Sequence, residues 1–354
     1  MPDFRKAKAM VFPRRVVAGS NVIGEIADMA RDFGLKGTAL IVTGPSTVKV
    51  AGKAVAGFLK DSGYDAHLYE TGMATAENVD KVVRTAEELK ASFMVGVGGG
   101  SKIDQAKAAA HRLYLPFISV PTSASHDGLA SPKASIKDGS GQPGSVDAVM
   151  PIGVLADTSV IAKAPYRYLA SGCADVIANS TALLDWQLAY RLRGEDFSST
   201  AYAISTMCAT TIMECAGIIK KNIEESVWVS IKPMISSGLS MSIAGSSRPT
   251  SGSEHLFSHA LDRIAPGKAL HGEQCGVGTI MMMYLHGGNW KQIRDALSEI
   301  GAPVTAAQLN LSREEVVSAL TVAHTIRPER YTILGDRGLS QEAAEKVATL
   351  TGVI

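Results

Sequence analysis

Apolar residues in the first half of the chain fall into short unbroken runs separated by stretches of helical period, and the second half keeps helical period almost throughout. Runs at Met10–Gly19, Thr38–Val42, Asp65–Tyr69, from Ser92 and at Pro116–Pro121 predict strands. Between them, Asn21–Phe33, Val50–Ser62 and Ala76–Leu89 repeat apolar positions every three to four residues, as one helix face does. This alternation predicts an α/β, Rossmann-like architecture with a mostly parallel sheet covered on both faces. From Lys133 the pattern changes to a β-hairpin with a Gly/Ser-rich tip, which feeds a last strand at Val154–Asp157. Beyond Ala164–Pro165, helices are predicted at Tyr168–Arg191, Ser198–Asn222, Glu225–Ser242, Ser253–Ile264, His271–Leu285, Trp290–Ile300, Arg313–Ile326 and Gln341–Thr349. The expected organisation is an α/β domain over residues 1–163 and an all-helical domain over residues 164–354. The cleft between two such domains is the default ligand site.

The run from Ser92 ends in Gly98, Gly99 and Gly100, and an alanine-rich helix follows. Glycines there let an anion approach the backbone, and the first N–H groups of the helix point toward it. The dinucleotide fingerprint is not met, because Ser101 stands where it requires Gly or Ala. A Walker-type loop fails as well, since Ser101 rather than Gly precedes Lys102. Ligands of a parallel sheet bind beyond the carboxyl ends of its strands, which places Gly44, Gly98–Ser101 and Thr122–Ser125 at one edge.

Composition narrows the class. At 354 residues, with 46% apolar residues and a formal net charge of +1, the chain is globular and has no electrostatic bias toward nucleic acid or anionic membranes. Cys173, Cys208, Cys215 and Cys275 lack C-x-x-C spacing, so reduced thiols are expected. Residues 1–8 lack the apolar core of a signal peptide, and no apolar run reaches the ~18–20 residues of a membrane span. The expected protein is cytoplasmic and homo-oligomeric, and its ligands are small molecules.

Three of the eight histidines crowd into residues 255–271. His255 and His259 share a helix face, and His271 opens a glycine-spaced helix. Zinc would take two histidines and a carboxylate and leave a position open for substrate. Asp175 is one candidate carboxylate, and Asp157, Asp185 and Glu273 are others. The loop Pro121–Pro132 sets hydroxyls beside His126 and Asp127, but it lacks the G-x-S-x-G elbow of a hydrolase. Cys275 reads as a small buried residue, and Met234, Met241 and Met281–Met283 read as core filler. Arg327–Arg330 reads as a solvated helix end, and His286 as isolated.

Taken together, Gly98–Asp104, Pro121–Pro132, Gly172–Asp175 with Asp185–Trp186, Gly252–His255, His271–Glu273 and Arg327–Leu334 resemble the archaeal sn-glycerol-1-phosphate dehydrogenase family. That family belongs with glycerol dehydrogenases, iron-containing alcohol dehydrogenases and dehydroquinate synthases. The resemblance covers nearly the whole chain, and it implies zinc held by Asp175, His255 and His271. It implies contacts to NAD(H) or NADP(H) from Gly98, Gly99, Gly100, Ser101, Lys102, Ile103, Asp104, Thr122, Ser123, Ala124, Ser125 and Ser131. Asp127, Asp175 and His259 would meet substrate. The implied reaction is reversible reduction of dihydroxyacetone phosphate, which supplies sn-glycerol 1-phosphate for archaeal membrane phospholipids. Two other readings are a glycerol or other polyol dehydrogenase with the same metal and cofactor, and a non-catalytic dinucleotide sensor. A dehydroquinate-synthase-like lyase would need a Lys/Arg cluster beside these motifs, and none is evident.

Overall fold

The computed structural model describes residues 9–139 and 143–354. The N-terminal stretch read above for a signal and the centre of the hairpin tip, residues 140–142, lie outside the described residues. Eight strands form: β1 (Arg15–Gly19), β2 (Thr38–Thr43), β3 (Asp65–Glu70), β4 (Phe93–Gly98), β5 (Phe117–Pro121), β6 (Lys133–Lys137), β7 (Pro143–Asp147) and β8 (Gly153–Asp157). Six of them make a wholly parallel sheet in the order β1-β8-β5-β4-β2-β3. The strands with unbroken apolar runs, β4, β5 and β8, are buried along their whole length, as two covered faces require. The edge strands β1 and β3 carry the exposed positions. β6 and β7 pair antiparallel as a separate ribbon, as the hairpin expected from Lys133 requires.

Helices α1 (Ile26–Asp32), α2 (Lys53–Asp61), α3 (Ala76–Glu88) and α4 (Gly100–Leu113) cover the sheet. Packing of α1 on α2 and of α3 on α4 sorts them into two layers. Right-handed crossovers explain the sorting, because the chain moves outward from β2 to β3 and then reverses direction to β4. The carboxyl ends of β2 and β4 therefore flank the reversal, which in parallel sheets is where a crevice opens. Ile26, Met29, Ile41, Leu59, Phe93 and Ile118 are central to the core on the α1/α2 face.

After α5 (Thr158–Ile161) come α6 (Tyr166–Arg193), α7 (Ser199–Glu214), α8 (Glu224–Ala244), α9 (Ser253–Ile264), α10 (His271–Leu285), α11 (Trp290–Ile300), α12 (Arg313–Val322) and α13 (Gln341–Leu350). α7 and α12 stop short of their predicted ends and finish in 3-10 turns at Ala216–Ile218 and Ala323–Thr325. Pro328 explains the second case, since it disfavours helical backbone at Arg327. The chain divides into two compact units: Val11–Tyr166 with Lys221–Leu239 in one, and Arg167–Lys220 with Ser240–Ile354 in the other. Most of α8 thus clusters with the sheet. A Cβ at Gly238 would sit 2.7 Å from the Ala130 carbonyl oxygen and 2.8 Å from that of Asp127, so only glycine admits this approach. No helix among the described residues is long and apolar enough to cross a membrane.

Asp157 closes the sheet at β8. Its Oδ1 accepts from the backbone N–H groups of Asn21, Ser159 and Val160 and from Ser159 Oγ, and its Oδ2 accepts from Ile23 N at 3.1 Å. The side chain is buried, so alanine would strand several donors. Asp157→Ala is expected to lower unfolding free energy by about 3 kcal/mol. Urea denaturation checks this, and a loss under about 1 kcal/mol would show that water replaces the carboxylate.

Candidate active site

At the carboxyl edge of the sheet three turns interlock. Gly99 is the N-cap of α4 and offers no side chain to the first-turn N–H groups. Thr122 N donates to Gly98 O at 2.9 Å, joining the turns after β4 and β5. A Cβ on Gly99 would lie 2.9 Å from Ser123 Oγ, and one on Gly100 would lie 1.8 Å from His126 Nε2. The His126 ring is fixed by Gly128 N, which donates to Nδ1 at 2.8 Å. Lys102 leans toward Gly44 and donates to the Gly72 carbonyl, and burial lowers its pKa.

The sequence candidates at this edge separate in space. Ile103 is core, and Asp104 turns inward: its Oδ2 accepts from Ser135 N at 2.9 Å and its Oδ1 lies 3.1 Å from Lys107 Nζ. Lys107 is fully buried and donates to Gly128 O at 2.8 Å, so this ion pair fastens the 127–131 turn from beneath. Thr122, Ser123 and Ala124 are buried and Ser125 is half-buried, while Ser131 Oγ bonds locally around Lys133. Asp127 opens a 3-10 turn, and its Oδ2 accepts from Ser237 Oγ on α8 at 2.7 Å. Lys107 and Ser237 lie outside every motif in the sequence.

In the helical unit the glycines of α10 decide the geometry. A Cβ on Gly272 would stand 2.0 Å from the Ser171 carbonyl oxygen of α6, and one on Gly276 would stand 3.0 Å from Ala174 Cβ. On the other side, Gly278 faces Glu254 and Phe257 of α9. The three backbones meet closely, and the meeting gathers Asp175, His255, His271 and Cys275, whose ligand atoms lie within 4.8 Å of one another. Asp175 Oδ1 is 3.7 Å from both His255 Nε2 and His271 Nε2. Asp157, Asp185 and Glu273 have other partners, Glu273 being paired with Arg167 at 2.5 Å.

Neighbouring polar groups fix which nitrogen of each imidazole is free. Glu254 Oε1 accepts from Gly252 N at 2.6 Å and faces His255 Nδ1 at 2.8 Å, so when Glu254 is ionised that nitrogen carries the hydrogen. Ser258 Oγ spends its one hydrogen on Gln274 Oε1 at 2.6 Å and must accept from His271 Nδ1 at 3.1 Å. With Glu254 ionised, both Nε2 lone pairs therefore turn toward Asp175. Two bare imidazole nitrogens and a carboxylate make a donor set that suits a divalent transition metal. Burial, with the neighbouring histidines second, holds His255 well below the usual histidine range. Burial, with repulsion from Asp185 second, pushes Glu254 up to about 8. Cys275 Sγ approaches His271 Nε2 to 3.6 Å, and burial pushes its thiol well above its ordinary range.

His259 falls outside this cluster. Its ring centroid is 5.7 Å from that of His271, its Nδ1 is 3.8 Å from Asp262 Oδ2, and burial lowers its pKa. Two readings of the sequence need correction. His286 is not isolated, because its Nε2 meets Asp185 Oδ1 at 3.0 Å. Arg327–Arg330 is not a solvated helix end: Arg330 donates to Ser251 O at 2.5 Å and to Ser247 Oγ at 2.8 Å just ahead of α9. Glu254 and Ser258 were missed as partners, although Ser258 lies one helical turn from His255 and Gln274 lies one turn from His271.

The α6–α10 approach yields a prediction. Backbone cannot rotate away as a side chain does, so Gly272→Ala is expected to cost about 2–3 kcal/mol. Thermal and urea unfolding would measure it, and a stability equal to wild type would show that the helices part without cost.

Comparison with known proteins follows the same lines. Residues 17–165 match the family model described as iron-containing alcohol dehydrogenase. The chain is 57% identical over 348 residues to the glycerol-1-phosphate dehydrogenase (NAD(P)+) of Methanosarcina barkeri, covering 98% of this chain and 97% of that one. It is 50% identical over 350 residues to the enzyme of the same description from Thermococcus kodakarensis, covering 99% of each. Among solved structures, glycerol dehydrogenase from Schizosaccharomyces pombe has the same fold, with a TM-score of 0.80 at 21% identity over 99% of this chain and 92% of that one. Identity of this order along nearly the full length places the chain in the NAD(P)-dependent glycerol-1-phosphate dehydrogenase family, within the iron-containing alcohol dehydrogenase group.

Proposed function

We propose that the protein is a zinc-dependent sn-glycerol-1-phosphate dehydrogenase that reversibly reduces dihydroxyacetone phosphate with NADH or NADPH, supplying archaeal membrane phospholipid synthesis. The observation that carries this reading is the cluster of Asp175, His255 and His271 in a chain so close to such enzymes. A dinucleotide sensor would have no use for that cluster.

In this reading residues 1–163 bind the dinucleotide through the Gly98–Ser101 turn and the 122–131 loop, and residues 164–354 bring the metal and substrate. Asp175, His255 and His271 would hold the ion. When bound, the ion supplies Lewis acidity to the oxygen that gains charge as the cofactor delivers hydride. The remaining work falls to the chain. Glu254, once ionised, and Ser258 would keep both Nε2 atoms unprotonated and aimed inward. His259, neutral through burial, relays a proton to the substrate oxygen. Asp127, steadied by Ser237, orients a substrate hydroxyl, and the carboxylate of Asp175 positions the substrate.

The test is dihydroxyacetone phosphate reduction assayed with each cofactor, before and after chelation, with metal content and product chirality determined. Activity should vanish on chelation and return with zinc, and the product should be the sn-1 enantiomer. Restoration by iron alone would replace zinc in this reading, and faster turnover of unphosphorylated dihydroxyacetone would make the protein a glycerol dehydrogenase. Loss of a group that merely orients a ligand already costs about 10- to 100-fold in metal affinity. Asp175→Ala and His271→Ala are therefore expected to lose the metal and more than about 100-fold in kcat. Either variant keeping both metal and full activity would refute the assignment.

A further inference from the structure

We propose that Arg327 binds the phosphate of the substrate, an inference that rests on the function proposed above and assigns the group that recognises a phosphomonoester. Of the four arginines along the loop before α9 and the segment after α12, Arg337 is exposed and two of the other three are committed to the protein. Arg248 pairs through Nε with Glu195 Oε1 at 2.6 Å and donates from Nη1 to Tyr331 O at 2.9 Å. Arg330 donates from Nη1 to Ser251 O and from Nη2 to Ser247 Oγ. Arg327 donates to no acceptor and pairs with no carboxylate among the described residues, although its side chain is half-buried. The Arg327 donors reach solvent and have no protein acceptor among the described residues, so they are open to a ligand.

Position supports the same reading. The 3-10 turn Ala323–Thr325 packs on α9, the helix of His255 and His259. Arg330, in a tight turn with Arg327 through Arg330 N to Arg327 O at 2.9 Å, reaches the carbonyl of Ser251 at the foot of α9. Farther on, Ile333 N donates to Asp185 Oδ1 at 2.7 Å. The guanidinium is thus carried on a short segment held against α9 at one end and to the loop before it and α6 at the other, and its charge acts on both His255 and His259. Among the described residues no carboxylate pairs with it there, and exposed Glu329, two residues on, is the acidic group whose charge acts on it. A phosphate dianion offers the paired oxygens that a guanidinium fork engages. Unphosphorylated dihydroxyacetone offers none.

The test compares wild type with Arg327→Gln, each assayed for kcat/KM on dihydroxyacetone phosphate and on dihydroxyacetone from one preparation. The ratio of the two values does not depend on how much of the preparation is folded. It should fall at least about 10-fold in Arg327→Gln, in keeping with loss of charge-assisted hydrogen bonds, and Arg327→Lys should restore part of it. Inorganic phosphate, a competitive inhibitor of wild type in this scheme, should inhibit the glutamine variant correspondingly less. An unchanged ratio, with both substrates slowed alike or neither slowed, would overturn the proposal and leave the function standing. A wild type with no preference for the phosphorylated substrate would overturn both.

Discussion

The helical unit depends on one buried carboxylate, that of Asp185. Its Oδ2 accepts from both the backbone N and the hydroxyl of Ser253, at 2.7 Å and 2.6 Å, and its Oδ1 accepts from Ile333 N and meets His286 Nε2. A single side chain of α6 therefore holds the start of α9, the end of α10 and the segment after α12. The charge is tolerable in the interior because every lone-pair direction has a donor. Gly252 completes the arrangement, since a Cβ there would stand 2.6 Å from Asp185 Oδ2 and 2.7 Å from Ala182 Cα. α6 thus carries two carboxylates with separate tasks: Asp185 assembles the helices, and Asp175 faces the histidines that this assembly brings together.

What could be read in the sequence follows from which physical signals are local. The sheet was legible because strands buried on both faces are unbroken apolar runs, and α9, α10 and α11 keep the bounds that their periodicity predicts. His255 and His271 stood out because histidine is scarce and helical spacing is simple. The choice among Asp157, Asp175, Asp185 and Glu273 was not local, for it turns on which helix face approaches which. Gly272, Gly276 and Gly278 bring Asp175 beside the histidines by close approach, yet a glycine in a sequence does not name the backbone it will meet. The same limit hid Ser237 beneath Asp127 and Lys107 beneath Ser131.

Arginine showed the limit most plainly. In sequence, Arg248, Arg327 and Arg330 are three cations near helix ends, and solvation is the expectation for each. In the structure Arg248 meets Glu195, Arg330 meets two backbone-proximal oxygens, and Arg327 meets neither kind of acceptor. Charge alone could not separate them, because the distinction lies wholly in the acceptors that the fold delivers.

The placement of α8 bears on how the chain is made. Val11–Tyr166 and Lys221–Leu239 form one compact unit, with Arg167–Lys220 between them in the chain and outside that unit. During synthesis the sheet emerges first, but the helix that seats Gly238 against the 127–130 turn and supplies Ser237 to Asp127 emerges only after α6 and α7. The loop after β5 therefore lacks its α8 contacts until that helix has been synthesised. The two units are interleaved along the chain, and no single uninterrupted segment makes up the sheet-bearing one.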